Sequence, residues 1–181
     1  MNKKHLQKKK AIELLAFILL VIIFLTIAIV FFGCRTLGVG YYKDLKRIAE
    51  QNGVDVNLVM AICKTESSFR PKAVSSAGAV GLMQIIPETA QWIAESHNID
   101  YKYDYLFNAD YNAKIGCLYL VYLQQKFSFE WTIVAYNSGE NMARKWINEN
   151  IGLDNIPYAE TRTYVQKVLS NYKYYKILFF G

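Results

Sequence analysis

The chain has 181 residues and a formal charge of +6, but residues 1–13 hold five lysines and one glutamate, so the remainder carries only +2. That excludes the concentrated basic face of a nucleic-acid binder. Both histidines, His5 and His97, stand alone and the three cysteines lack ligand spacing, so neither a metal nor another cofactor is expected.

Residues 1–10 form a basic tail with Lys3, Lys4, Lys8, Lys9 and Lys10. The segment 11–33 contains an uncharged run, Leu14–Phe32, in which Thr26 is the one polar side chain. As a helix this run would cover about 28 Å, close to the roughly 30 Å hydrocarbon core of a bilayer. With lysines before it and only Arg35 just after it, the positive-inside rule predicts a single-pass anchor with a cytoplasmic N-terminus and all later residues outside. A cleaved secretory signal is disfavoured by the length of the run and by Phe31-Phe32-Gly33, a poor cleavage site. Lipidation at Cys34 is the other alternative, against which Phe31 stands where an aliphatic residue is usual.

Residues 34–40 read as a short linker, and 41–181 are one domain's worth of chain. A helix is expected over Tyr42–Asn52, with Leu45, Ile48 and Ala49 on one side and Gly53 as its stop. Asp55 suits the N-cap of a second helix, reaching about Ser68, with Val56, Val59, Met60, Ile62 and Cys63 as its apolar positions. Residues 70–86 are too rich in Gly, Ala and Ser for a helix, and leave room for a small β-hairpin around 78–86 or an irregular Gly-rich segment. Pro87 suits the first turn of a helix to about His97. An aromatic loop covers 98–107 and a helix 108–127, followed by helices near 130–137 and 140–149. The last helix spans about 161–178, with Tyr164, Val165, Val168, Leu169, Tyr172 and Tyr175 on one face. The outer domain is therefore mostly α. Cys63 and Cys117 read as small buried hydrophobes or, alternatively, as a disulfide. Trp92, Trp131 and Trp146 read as core residues.

Glu66, near the end of an apolar helix, is the most suggestive single residue. A carboxyl group in an apolar cleft has a raised pKa and can hold a proton near neutrality. On its local chemistry alone it reads more readily as a solvated helix-end carboxylate. Four ordered blocks extend its context: ESSFRPKAVSSAGAVGLMQIIPETA (66–90), LFNADYNAKIGCLYL (106–120), AYNSG (135–139) and IPYAETRTYVQKV (156–168). Together they resemble the family-1 lytic transglycosylases, the catalytic domain of soluble lytic transglycosylases, related in fold to goose-type lysozyme. One departure is Asn108-Ala109-Asp110, where the family often has Asp-Pro before the Asn.

The resemblance implies a lysozyme-like helical domain and roles residue by residue. Glu66 matches the catalytic acid and base. Ser75 and Gln84 match cleft positions that contact the acetamido sugar, and Tyr136 and Asn137 match the pair facing the catalytic carboxyl. Tyr136 is expected to donate a hydrogen bond to that carboxyl. Glu160 matches a carboxylate on the far wall, and Tyr164 is a cleft aromatic. The implied substrate is the peptidoglycan glycan strand, cut at the bond from N-acetylmuramic acid to N-acetylglucosamine with formation of a 1,6-anhydro end. A muramidase-type hydrolase and a non-catalytic wall-binding protein are the alternatives. A tether this short points to membrane-proximal strands, with an envelope-spanning machine as a prospective partner.

Overall fold

A computed structural model of the chain describes residues 3–180, with side chains described at all of these except 3–9, 11, 29–32, 34–36 and 180. The chain divides into two compact units, Met1–Gly40 and Tyr41–Gly181. The first contains helix α1, Lys3–Thr36. Its large apolar side chains described from Ile12 to Ile27 are all exposed. Among the described residues no helix is long and apolar enough to cross a membrane. The unbroken stretch with described side chains, 12–28, stops one turn short of Phe32, and Cys34, the alternative lipidation site, lies outside it. Arg35 and Thr36 continue α1 and Val39 opens the next helix, so the non-helical part of the expected linker is only Leu37 and Gly38.

Helix α2, Val39–Gln51, buries Leu45, Ile48 and Ala49. Helix α3, Val56–Ser67, starts at Asp55, whose carboxylate accepts from the Asn57 amide at 2.8 Å. Every residue of α3 from Val56 to Cys63 is buried, so it is the central helix and not an amphipathic surface one. It ends where Ser68 and Phe69 both take left-handed backbone, φ 50° and 60°. Their amides close the last turn on Lys64 O and Cys63 O.

Around α3 stand α4 (Pro87–Ser96), α5 (Ala109–Gln124), α6 (Phe129–Ser138), α7 (Glu140–Asn148) and α8 (Ala159–Phe180). The longest packing contact is α3 along α8, while α6 touches α5, α7 and α8, and α4 lies on α5. On α8, Tyr164, Val165, Val168 and Tyr175 are buried and Lys167, Lys173 and Lys176 are exposed, as the helical spacing requires. Two short 3-10 turns, Tyr103–Phe107 and Leu153–Asn155, connect helices.

Residues 70–86 form no hairpin. Two isolated antiparallel bridges, Val74 with Val80 and Val80 with Ile85, are its whole β content. The segment is held instead by a side chain. The buried Asn112 of α5 accepts from Met83 N at 2.8 Å and donates to Val80 O at 2.9 Å and Leu106 O at 3.0 Å. One buried side chain thus ties two backbone groups of the segment, one of them Val80 O that Ile85 N also pairs, to a carbonyl of the Tyr103–Phe107 turn. Gly81 is required there: its φ is +85°, and a Cβ would lie 2.5 Å from Leu106 O and closer still to the Asn112 amide nitrogen.

Cys63 and Cys117 are free thiols, both buried, which settles the two readings in favour of packing. The tryptophans divide. Trp146 is core at 2% exposure and Trp131 is partly buried against the core. Trp92 departs from the core expectation at 41% exposure, because α4 turns Ala90, Ile93 and Ala94 inward and leaves position 92 off that face.

Candidate active site

Glu66 sits in the last turn of α3, where the chain turns away into the Asn112-pinned segment. The packing of α8 on α3 brings Tyr164 to it: the phenol donates to Glu66 Oε1 at 2.7 Å. Burial pushes the Glu66 carboxyl up from 4.5 to about 7, and the Tyr164 hydrogen bond, which favours the ionised form, opposes only part of that rise. A carboxyl raised this far toward neutrality can give a proton to an oxygen leaving group and take one back.

Tyr136 of α6 does not donate to Glu66. Its hydroxyl donates to Met83 O at 2.8 Å. With Met83 N held by Asn112, the next carbonyl is left for Tyr136, and the hydrogen bond joins α6 to the glycine-rich segment. Tyr136 still lies within electrostatic reach of Glu66: burial first, and then the Glu66 charge, push its phenol well above the usual range. It stays neutral, and so does Tyr164, raised mainly by burial and next by Glu66.

Beside Tyr136 opens a cleft of about 240 Å³ lined by Gln84, Tyr119, Tyr136 and Asn137, with Ile85, Ile86, Thr89, Ser138 and Gly139 completing the wall. Gln84 has left-handed backbone, φ 49°, and its amide donates to Ala73 O at 3.1 Å and Gly81 O at 2.9 Å. Its side-chain oxygen remains available to a ligand donor. Asn137 spends none of its side-chain hydrogen-bonding capacity on the described protein. Glu66, Ser75 and Glu160 are not among the lining residues of this cleft.

Ser75 is exposed in the irregular segment, where its hydroxyl accepts from Ala79 N at 3.0 Å and keeps its own proton free to donate. Glu160 is exposed in the first turn of α8, one turn ahead of Tyr164. The structure therefore joins Glu66 to Tyr164 directly and to Tyr136 electrostatically. It gathers Gln84, Tyr136 and Asn137 in one cleft, and leaves Ser75 and Glu160 at the surface.

Two further residues support the site without being singled out by sequence reasoning. Asn112 is a fully buried polar side chain within the apolar stripe of α5, the one signal that marks it. Ser67, adjacent to Glu66, is 1% exposed and donates to Leu82 O at 2.7 Å, tying the end of α3 to the same segment from the other side.

A mostly helical domain with a half-buried, proton-holding carboxyl near a polar and aromatic cleft is thereby defined. The model of the Transglycosylase SLT domain family matches residues 45–158, and the chain belongs to this family. It is 35% identical over 147 residues to the soluble lytic murein transglycosylase of Escherichia coli K12, covering 75% of this chain and 23% of that protein. To the membrane-bound lytic murein transglycosylase C of Edwardsiella ictaluri it is 30% identical over 172 residues, covering 75% of this chain and 46% of that protein. The crystal structure of the 70 kDa soluble lytic transglycosylase of Escherichia coli superposes with a TM-score of 0.74 at 33% identity, covering 78% of this chain and 25% of that one. The chain thus spans about a quarter of the length of its soluble relatives.

Proposed function

We propose that the protein is a peptidoglycan lytic transglycosylase in which Glu66 is the acid and then the base. The observation that carries this reading is the Glu66 carboxyl, buried enough to titrate near neutrality and held by Tyr164 at 2.7 Å. Family membership and the names of the relatives support it.

In the proposed reaction, protonated Glu66 gives its proton to the oxygen linking N-acetylmuramic acid to N-acetylglucosamine. The C1–O bond breaks, and the substrate's own 2-acetamido oxygen bonds to C1, forming an oxazolinium-like cation. The leaving sugar departs as a neutral alcohol. Glu66, now a carboxylate, takes the proton from the C6 hydroxyl, whose oxygen displaces the acetamido group at C1. The product is a 1,6-anhydro end, and Glu66 is protonated again. Neutral Tyr164 holds the carboxylate between the two transfers. Gln84 offers its amide oxygen to an N-acetyl group, Asn137 offers both an amide donor and an acceptor, and Ser75 offers its free proton.

Digestion of purified peptidoglycan followed by mass spectrometry tests this. Anhydro ends formed by the native protein and absent with Glu66→Gln are expected. Reducing ends in their place would mean hydrolysis, with Glu160, the carboxylate nearest Tyr164 along α8, as the residue to examine for positioning water. Strand binding without any cleavage would point to a wall-binding protein.

The apolar run Leu14–Phe32, its lysine-rich flank and the membrane-bound names among the relatives support a second element of the proposal. In it α1 anchors the protein in the cell membrane with the N-terminus cytoplasmic and the catalytic domain outside, close to nascent strands. Alkaline carbonate should leave the full chain in the membrane pellet and detergent should release it. A mature mass beginning at Cys34 would overturn the anchor.

A further inference from the structure

Trp92 is an indole left 41% exposed on a helix whose other large apolar residue, Ile93, is buried. It is also the outer member of a connected row of rings. Tyr136, in the cleft wall, lies 5.4 Å from Tyr119, which lines the same cleft. Tyr119 lies 6.5 Å from Trp92, and Trp92 meets Tyr122 edge to face at 4.7 Å. Helical spacing explains the alignment. Thr89, a cleft-lining residue, and Trp92 are three apart on α4, and Tyr119 and Tyr122 are three apart on α5, so each pair shares one face. The row starts inside the cleft and leaves it along the α4–α5 seam.

The outer end of the row is braced. Tyr122 donates to Glu140 at 2.6 Å, and Lys126 lies over the Tyr122 ring at 3.7 Å while bonding Glu140 at 2.9 Å. Arg144 closes on the same carboxylate at 2.7 Å. With Tyr122 fixed in this way, Trp92 has a rigid ring to rest against, so a ligand stacking on it would lose little side-chain freedom. The Tyr119 hydroxyl has no hydrogen-bond partner among the described residues, although burial first, and then Glu140, push its phenol up to about 12, so it stays a donor. A flat apolar surface bordered by an unpaired hydroxyl matches a pyranose ring, which has an apolar C–H face and a rim of hydroxyls.

We infer that Trp92, with Tyr119 beside it, is a stacking platform for a sugar of the same glycan strand, beyond the cleft at Gln84, Tyr136 and Asn137. This rests on the glycan-cleaving reading above. The platform makes binding depend on strand length, because a short oligosaccharide can fill the cleft without reaching the indole.

The test uses the full chain carrying Glu66→Gln, so that strands are bound and not consumed. Calorimetric titration is done with peptide-free peptidoglycan strands of two lengths, a disaccharide and an octasaccharide. Adding Trp92→Ala should weaken the octasaccharide about fivefold, the scale of one aromatic contact, and leave the disaccharide unchanged. Trp92→Phe should recover most of the loss, and the dependence on strand length is what separates a platform from a packing defect beside Tyr119 and Tyr122. Equal affinity for the octasaccharide with and without Trp92, or equal losses at both lengths, would overturn the platform alone. If the Glu66→Gln parent binds neither strand, the glycan-cleaving reading falls and the platform with it.

Discussion

Replacing Glu66 by glutamine should make the domain more stable, and only above a certain pH. Burial raises this carboxyl from 4.5 to about 7. Between those values the folded protein holds a proton that the unfolded chain has released, so native stability falls as pH rises through this window and levels off above it. At 1.36 kcal/mol per pKa, the deficit at pH 8 approaches about 3 kcal/mol. Glutamine has no charge to desolvate and keeps an oxygen for the Tyr164 hydroxyl, so the variant should escape the deficit. The gain should be near zero at pH 4 and approach about 3 kcal/mol at pH 8, a rise in melting temperature of about 10 °C for a domain of this size. Urea or thermal unfolding followed by tryptophan fluorescence is the assay, since Trp92, Trp131 and Trp146 all belong to the Tyr41–Gly181 unit. Subtracting wild type from variant at each pH removes every other titrating group. A difference that stays constant from pH 4 to pH 8 would refute the assignment of Glu66 as a desolvated acid, whatever the variant does to activity.

Tyr164→Phe removes the hydrogen bond that holds the Glu66 pKa down, so the alkaline loss of activity expected from Glu66 ionisation should move to higher pH. A pH–rate profile checks this, and an unmoved alkaline limb would mean that another group controls it. Gly81→Ala meets both a positive φ and the Leu106 carbonyl at 2.5 Å, and should cost about 2 kcal/mol or more in urea unfolding. Asn112→Ala leaves Met83 N, Val80 O and Leu106 O without their shared partner inside the core, and should cost about 3 kcal/mol or more. Glycan cleavage should fall as well, because the segment between Glu66 and Gln84 loses its pin.

The helices were readable because their signals are local. Asp55 as a cap, Pro87 at a first turn and the spacing of Leu45, Ile48 and Ala49 each act within a turn or two of chain. The four ordered blocks, rather than its immediate chemistry, single out Glu66 as the candidate acid. The partners of the hydroxyls were not legible. Tyr164 reaches Glu66 across 98 positions and Tyr136 reaches Met83 O across 53, and both choices follow from how α8 and α6 pack. Residues 78–86 allow a hairpin by composition. Asn112, from a distant helix, pins Met83 N and Val80 O of this segment, and the pairing of Val80 with Ile85 stays a single bridge. Trp92 misled for a related reason: an aromatic residue in an amphipathic helix is usually inward, and only the orientation of α4 on α5 shows that position 92 is not.

Cys63 and Cys117 sit in the core as free thiols. Burial pushes Cys117 up to about 12, and burial, followed by the nearby Cys117 and Glu66, raises Cys63 further above its usual value. A thiol that cannot reach its thiolate neither attacks a disulfide nor reacts readily with peroxide. The Tyr41–Gly181 unit therefore needs no oxidase to assemble and has no bond for a reductant to open. Its folding needs no oxidant, so dithiothreitol should leave its unfolding curve unchanged, and oxidised glutathione should leave the thiols of the folded unit unlabelled.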